Sequence, residues 1–187
     1  MKKAIIIAAL AFVSFANAQK GSVLVAGNIG FKSENTGDEK ANYFEFAPKV
    51  GYQFSDNMTV GLETAVTTEK FVNKDTQNTF KLGAFLRYSQ PLAGVFSIFG
   101  DFGVGMKSSK YKDHLVSGAT LETKADGFYI GVVPAIGVDL KKGFCLNFSI
   151  GGLGYDSMKP DYNGADATNT FAFTFGKQAS VGISKNF

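Results

Sequence analysis

The sequence predicts an all-β fold, a transmembrane eight-stranded antiparallel up-and-down β-barrel, and three observations carry that prediction. Apolar residues alternate with small or polar ones along eight separate stretches, which puts an oily set on one face of each strand and a polar set on the other. The stretches are joined in strict alternation by short turns and longer polar connections, as in a membrane barrel whose turns all lie on one side. The last stretch, 170–187, alternates to its final residue, with Phe171, Phe173, Phe175, Ala179, Val181, Ile183 and Phe187 on one parity. Such a strand has one use, to pair with the first and close the barrel, because closure alone removes both edges.

The first 18 residues are set aside as a cleavable secretory signal. Met1-Lys2-Lys3 is basic, residues 4–13 are apolar and Ala16-Asn17-Ala18 is an A-x-A site, with the cut expected before Gln19. The apolar run is too short for a membrane anchor, which takes about 20 residues. Residues 19–187 are then the barrel domain.

The first strand covers 22–32, with Val23, Val25, Gly27, Ile29 and Phe31 on one face, and a polar connection 33–41 follows. The second, 42–54, turns Phe44, Phe46, Val50 and Tyr52 outward and Glu45 and Lys49 inward. Ser55-Asp56-Asn57 has the composition of a tight turn. The third, 58–69, has Val60, Leu62 and Val66 outward and Glu63 inward, and 70–77 is the second longer connection. The fourth, 78–90, sets Phe80, Leu82 and Leu86 against Lys81, Phe85 and Arg87. After a turn at 91–94, the fifth, 95–107, sets Phe96, Ile98, Phe102 and Val104 against Phe99 and Asp101. The longest connection is expected over 108–125. The sixth strand, 126–140, turns at Lys141-Lys142-Gly143 into the seventh, 144–156, whose upper half Gly151-Gly152 should disturb. A connection over 157–169 leads to the last strand. Pro48 and Pro134 each remove a ladder hydrogen bond, so a bulge is expected at both. Lys177 has outward parity, tolerable only near an interface.

Composition narrows the function classes. The formal charge is +3 and falls to +1 once Lys2 and Lys3 leave with the signal, so nucleic acid is not an expected partner. One cysteine, Cys145, excludes an internal disulfide, and a single histidine gives no zinc-type cluster. The sequence calls for no cofactor. Asp113 and His114, with Ser108, Ser109 and Ser117 nearby, have the residue types of a hydrolase or acyltransferase. They are neighbours in a connection with nothing to orient them as a triad requires, so no enzyme activity is expected.

The inward polar set is the candidate site: Glu45, Lys49, Glu63, Lys81, Arg87 and Asp101. Three acids meet three bases. Counting from the short turns puts Lys49, Glu63, Arg87 and Asp101 at one depth, with Glu45 and Lys81 higher. Isolated charges in a narrow interior are costly, whereas a mutually paired set satisfies its own hydrogen bonds. Tyr43, Tyr111, Tyr129, Tyr155 and Tyr162 near the loop ends are expected in an interfacial girdle.

Pro48-Lys49-Val50-Gly51-Tyr52-Gln53-Phe54 is echoed by Pro134-Ala135-Ile136-Gly137-Val138-Asp139-Leu140, each before a short turn. Together with the signal and the terminal Phe, this resembles the OmpA/OmpX-type eight-stranded outer-membrane barrels, across the whole of 19–187. The ending Ser180-Val181-Gly182-Ile183-Ser184-Lys185-Asn186-Phe187 resembles their C-terminal assembly signal, in which Ser180, Gly182 and Phe187 would be read by the barrel-assembly machinery; Lys185 stands where an aromatic is usual. The resemblance implies an outer-membrane protein of a Gram-negative envelope with both termini in the periplasm. Its partners would be outer-membrane lipid and lipopolysaccharide, with any extracellular ligand held at the loops. A structural or surface-interaction role with a plugged interior is expected; the alternative is a narrow porin-like channel for ions or small solutes.

Overall fold

A computed structural model of the chain describes residues 20–36, 39–72, 75–114 and 119–187. The proposed signal sequence lies outside the described residues. Eight antiparallel strands follow one another around a closed barrel: β1 (Val23–Thr36), β2 (Glu39–Gln53), β3 (Met58–Lys70), β4 (Thr76–Pro91), β5 (Phe96–His114), β6 (Thr120–Lys141), β7 (Phe144–Pro160) and β8 (Thr168–Asn186). The alternation of the sequence becomes inside and outside. Phe44, Phe46, Val50, Leu62, Phe80, Leu82, Phe102, Val104 and Phe128 are exposed on the outer surface, while Phe85, Phe99 and Leu24 are buried in the lumen. An apolar outer band of this kind is stable only against lipid.

The expected end-to-end closure is present. Val23 N–H donates to Phe187 O at 3.0 Å and Phe187 N–H to Val23 O at 2.9 Å. From there β1 and β8 pair from Leu24↔Asn186 to Asn28↔Gly182. Lys185 lies on the outer parity between two rings, its Nζ 4.4 Å from the Phe144 centroid and 4.6 Å from that of Phe187. The two rings can hold its charge by cation–π attraction at the barrel's lower end.

The longer connections differ most from the sequence reading. β5 continues to His114 and β6 begins at Thr120, so most of 108–125 is a two-stranded extension paired from Ser108↔Asp126 to His114↔Thr120. Polar residues hid this, because above the membrane the apolar half of the alternation is no longer required. The other three connections shrink in the same way. A bilayer-spanning strand needs about 9–11 residues. With β3 at 13 residues and β6 at 22, the strand tops reach well past the apolar band.

Of the two proline bulges, one is present. The β6–β7 register shifts between Val132↔Leu153 and Ala135↔Ser149, around Pro134. At Pro48 the β2–β3 ladder is interrupted between Phe46↔Val66 and Lys49↔Glu63, yet the register beyond it is unchanged. Gly151 adopts φ +119, in the left-handed region that favours glycine, and the β7–β8 register shifts beside it. The outward residues of β7 change there from Phe144 and Phe148 to Leu153. The side chain of Lys177 lies outside the described residues.

Candidate functional site

The inward parities of β2 to β6 converge on a chain of charges across the lower lumen. Asp101 on β5 is its hub. Arg87, beside it on β4, donates from Nε to Asp101 Oδ1 at 2.6 Å and from Nη2 to Oδ2 at 2.9 Å. Lys49, on β2, donates to Asp101 Oδ2 at 2.8 Å and lies 3.2 Å from Glu63 Oε2 on β3. Tyr129, on β6, closes the chain by donating its hydroxyl to Glu63 Oε1 at 2.8 Å. The four charged groups named from sequence at one depth are therefore in contact, because a shared inward parity and a similar distance from the turns are what bring side chains together in a barrel.

Rings pack around these charges. Lys49 Nζ lies 5.3 Å from the Phe85 centroid and the Arg87 guanidinium 3.9 Å from that of Phe99. The glycines opposite make room. A Cβ at Gly103 would collide with Glu63 Oε1, and one at Gly83 with the Tyr129 hydroxyl. Arg87 and Asp101 are both buried. The bidentate pair thus sits in a setting with little solvent screening, where loss of one partner strands the other.

Glu45 and Lys81, the two residues placed higher by sequence, do not join the chain. Glu45 accepts the Tyr43 hydroxyl. The Lys81 amine faces the Tyr129 ring, 5.1 Å from its centroid, and among the described residues no acidic group lies within ion-pair distance of it. The same level holds a pair the sequence reading missed, Lys107 Nζ 3.2 Å from Asp156 Oδ1. Asp156 was hidden by the parity change at Gly151, which turns its side chain inward. The Gly151-Gly152 doublet was the available signal, but it does not say on which side of it the alternation reverses.

Three tyrosines expected in the outer girdle are also placed differently. Tyr43 and Tyr129 are on inward parities, and Tyr111 donates its hydroxyl to Asp75 at 2.6 Å. Asp75 also accepts the His114 backbone N–H at 2.9 Å, and its carboxylate lies 3.9 Å from His114 Nδ1. It is Asp75, in the β3–β4 connection, and not the neighbouring Asp113, that faces the histidine. The contact ties the β5–β6 extension to the connection beside it. Ser117 lies outside the described residues, and among those described no group of acidic, His and Cys side chains could hold a metal ion.

A closed barrel with an apolar exterior and paired charges within is an integral membrane β-barrel. The outer membrane protein beta-barrel domain family matches residues 4–178, and the chain belongs to that family. It is an outer-membrane protein. Among solved structures it is similar to Neisserial surface protein A, with 13% identity over 90% of this chain and 100% of that one and a TM-score of 0.55. It is also similar to Ail, the attachment invasion locus protein of Yersinia pestis, with 14% identity over 90% and 100% of the two chains and a TM-score of 0.49. At 13% identity the likeness to Neisserial surface protein A concerns the fold. No curated protein sequence matches the chain.

Proposed function

We propose that this protein is a non-enzymatic outer-membrane barrel with a structural or surface-interaction role, its lumen plugged by Lys49, Glu63, Arg87 and Asp101. The observation that carries the reading is the unbroken run of contacts from Tyr129 through Glu63, Lys49 and Asp101 to Arg87. Eight strands enclose a space that side chains alone can fill, whereas open aqueous porins use about 16. Ion pairs placed across that space in low screening hold one another in position. Proteoliposomes carrying the barrel should swell in a small-sugar solution no faster than empty liposomes. Swelling that rises with the amount of protein would transfer the assignment to the porin-like channel.

The strand extensions and their connections then carry any contact outside the cell, with both termini in the periplasm. Lipopolysaccharide would meet the outer band, and an extracellular ligand the extensions. An impermeant thiol reagent on intact cells should label a cysteine placed at Thr120 and spare one at Asn57; the reverse pattern inverts the orientation. Ser180, Gly182 and Phe187 would form the signal read by the assembly machinery. Deleting Phe187 should reduce the folded, heat-modifiable protein several-fold while export of the chain continues, and a wild-type yield would remove the assignment.

A further inference from the structure

The seam between β1 and β8 is built unlike the other seven. The β5–β6 ladder runs unbroken from Phe96↔Val138 to His114↔Thr120, and the β3–β4 ladder from Met58↔Tyr88 to Lys70↔Thr76. Among the described residues the β1–β8 ladder runs only from Leu24↔Asn186 to Asn28↔Gly182, although β1 continues to Thr36 and β8 begins at Thr168. The outer side chains flanking the upper seam stand clear of neighbours. Phe31 is 75% exposed and Phe173 69%, against 42% for Phe44, the partner of Phe31 on β2. Unsatisfied strand edges at membrane depth persist only where they line a cavity.

That cavity is present. A space of about 990 Å³ above the charged chain is walled by Ile29 and Gly30 of β1, by Ala172 and Thr174 of β8, and by Lys81 and Tyr129 from the far side. In an eight-stranded ring β4 lies diametrically across from β8, so Lys81 faces the seam across the lumen. Its ammonium has three donors and among the described residues meets only a ring face, while of the acids on the same cavity Glu45 accepts from Tyr43, Asp156 Oδ1 makes no hydrogen bond but has Lys107 Nζ at 3.2 Å, and Glu63 and Asp101 hold Lys49. Of the described lining charges, the one with no counterion at contact distance is therefore Lys81, and the wall opposite it opens between two apolar edges.

We infer that the upper lumen is a binding site for a single-chain amphiphile with an anionic head, the head seated at Lys81 and the chain leaving toward lipid between β1 and β8. A carboxylate or phosphate head would give Lys81 the charge-assisted hydrogen bond it lacks. Ile29, Phe31 and Phe173 offer the chain an apolar exit. A zwitterionic head fits less well, because the lining acids already face Tyr43, Lys49 or Lys107. Lys49, Glu63 and Asp101 form the floor of the same cavity, and the head site at Lys81 lies above them.

The chain has no tryptophan, so Thr174→Trp places a single tryptophan, excited apart from the tyrosines, on the cavity wall at the seam. The protein, refolded into bilayers of unbrominated neutral lipid, is titrated with dodecanoate, and separately with dodecyl phosphate, each brominated at the end of its tail. Saturable quenching is expected from at least one of them; which of the two quenches at lower concentration identifies the head. Brominated dodecanol, with the same tail and no charge, should quench only at about tenfold higher concentration or more. Adding Lys81→Met should weaken anion-induced quenching to the level of the alcohol, and Lys81→Arg should preserve it. Heat-modifiability on gels certifies that each variant is folded. Equal quenching by acid and alcohol, undiminished quenching in the folded Lys81→Met protein, or no saturable quenching overturns the inference.

Discussion

The lower and upper halves of the lumen are lined by the same residue types and organised in opposite ways. Below, four charged side chains on four adjacent strands share two carboxylates and two cations with almost nothing left over. Above, Glu45, Lys81, Lys107 and Asp156 also balance in sign, yet only Lys107 and Asp156 form an ion pair. Composition does not separate the two levels; register does. The lower charges lie where β2 to β5 keep one register, even across the gap at Pro48, so neighbouring strands bring partners to contact distance. The upper ones lie where Gly151 has shifted β7 and where β1 has left β8.

If that contrast is real, equal-sized changes at the two levels should have unequal effects. Asp101→Ala leaves Arg87 and Lys49 facing each other with no acid between them, and should lower unfolding stability by about 3–5 kcal/mol in urea titrations of the vesicle-embedded barrel. The double variant Arg87→Met/Asp101→Leu removes charge without stranding it and should recover most of that loss. An Asp101→Ala protein as stable as wild type would dissolve the distinction between the levels. A smaller effect is expected from Gly103→Val, whose added carbons would displace Glu63 from Lys49 and Tyr129 at a cost of about 1–3 kcal/mol. The smallest should come from Lys81→Met, within about 1 kcal/mol of wild type, since no ion pair is broken. A loss as large as that of Asp101→Ala would mean that Lys81 belongs to the chain below.

The legible part of this molecule was the part under membrane constraint. Outward Phe44, Leu62, Leu82 and Phe102 had to be apolar and their inward neighbours could not all be, so strand count, facing and the Lys49, Glu63, Arg87 and Asp101 cluster followed from parity and depth. Where lipid no longer dictates one face, the signal fades. The extensions of β5 and β6 are polar on both faces, and residues such as Lys110 and Lys124 looked like loop although they pair directly. Irregularities were half legible. Pro134 and Gly151 marked real register shifts and Pro48 did not, because a missing donor can leave a gap in the ladder without moving the strand. Tyr43 and Tyr129 were misplaced for a related reason. A tyrosine near a strand end suits either the headgroup region or a lumenal carboxylate, and its parity, which pointed inward, outweighs its height.

If the lower charges close the lumen, the purified protein in a planar bilayer should show it in the current it passes. The wild-type barrel should give no steady, ohmic, nanosiemens-scale conductance, whereas Asp101→Ala, with its hub removed, should leak if the folded barrel persists. A stable wild-type conductance whose cation or anion preference changes on neutralising Glu63 or Arg87 would contradict the plug and make the same residues the filter of a channel.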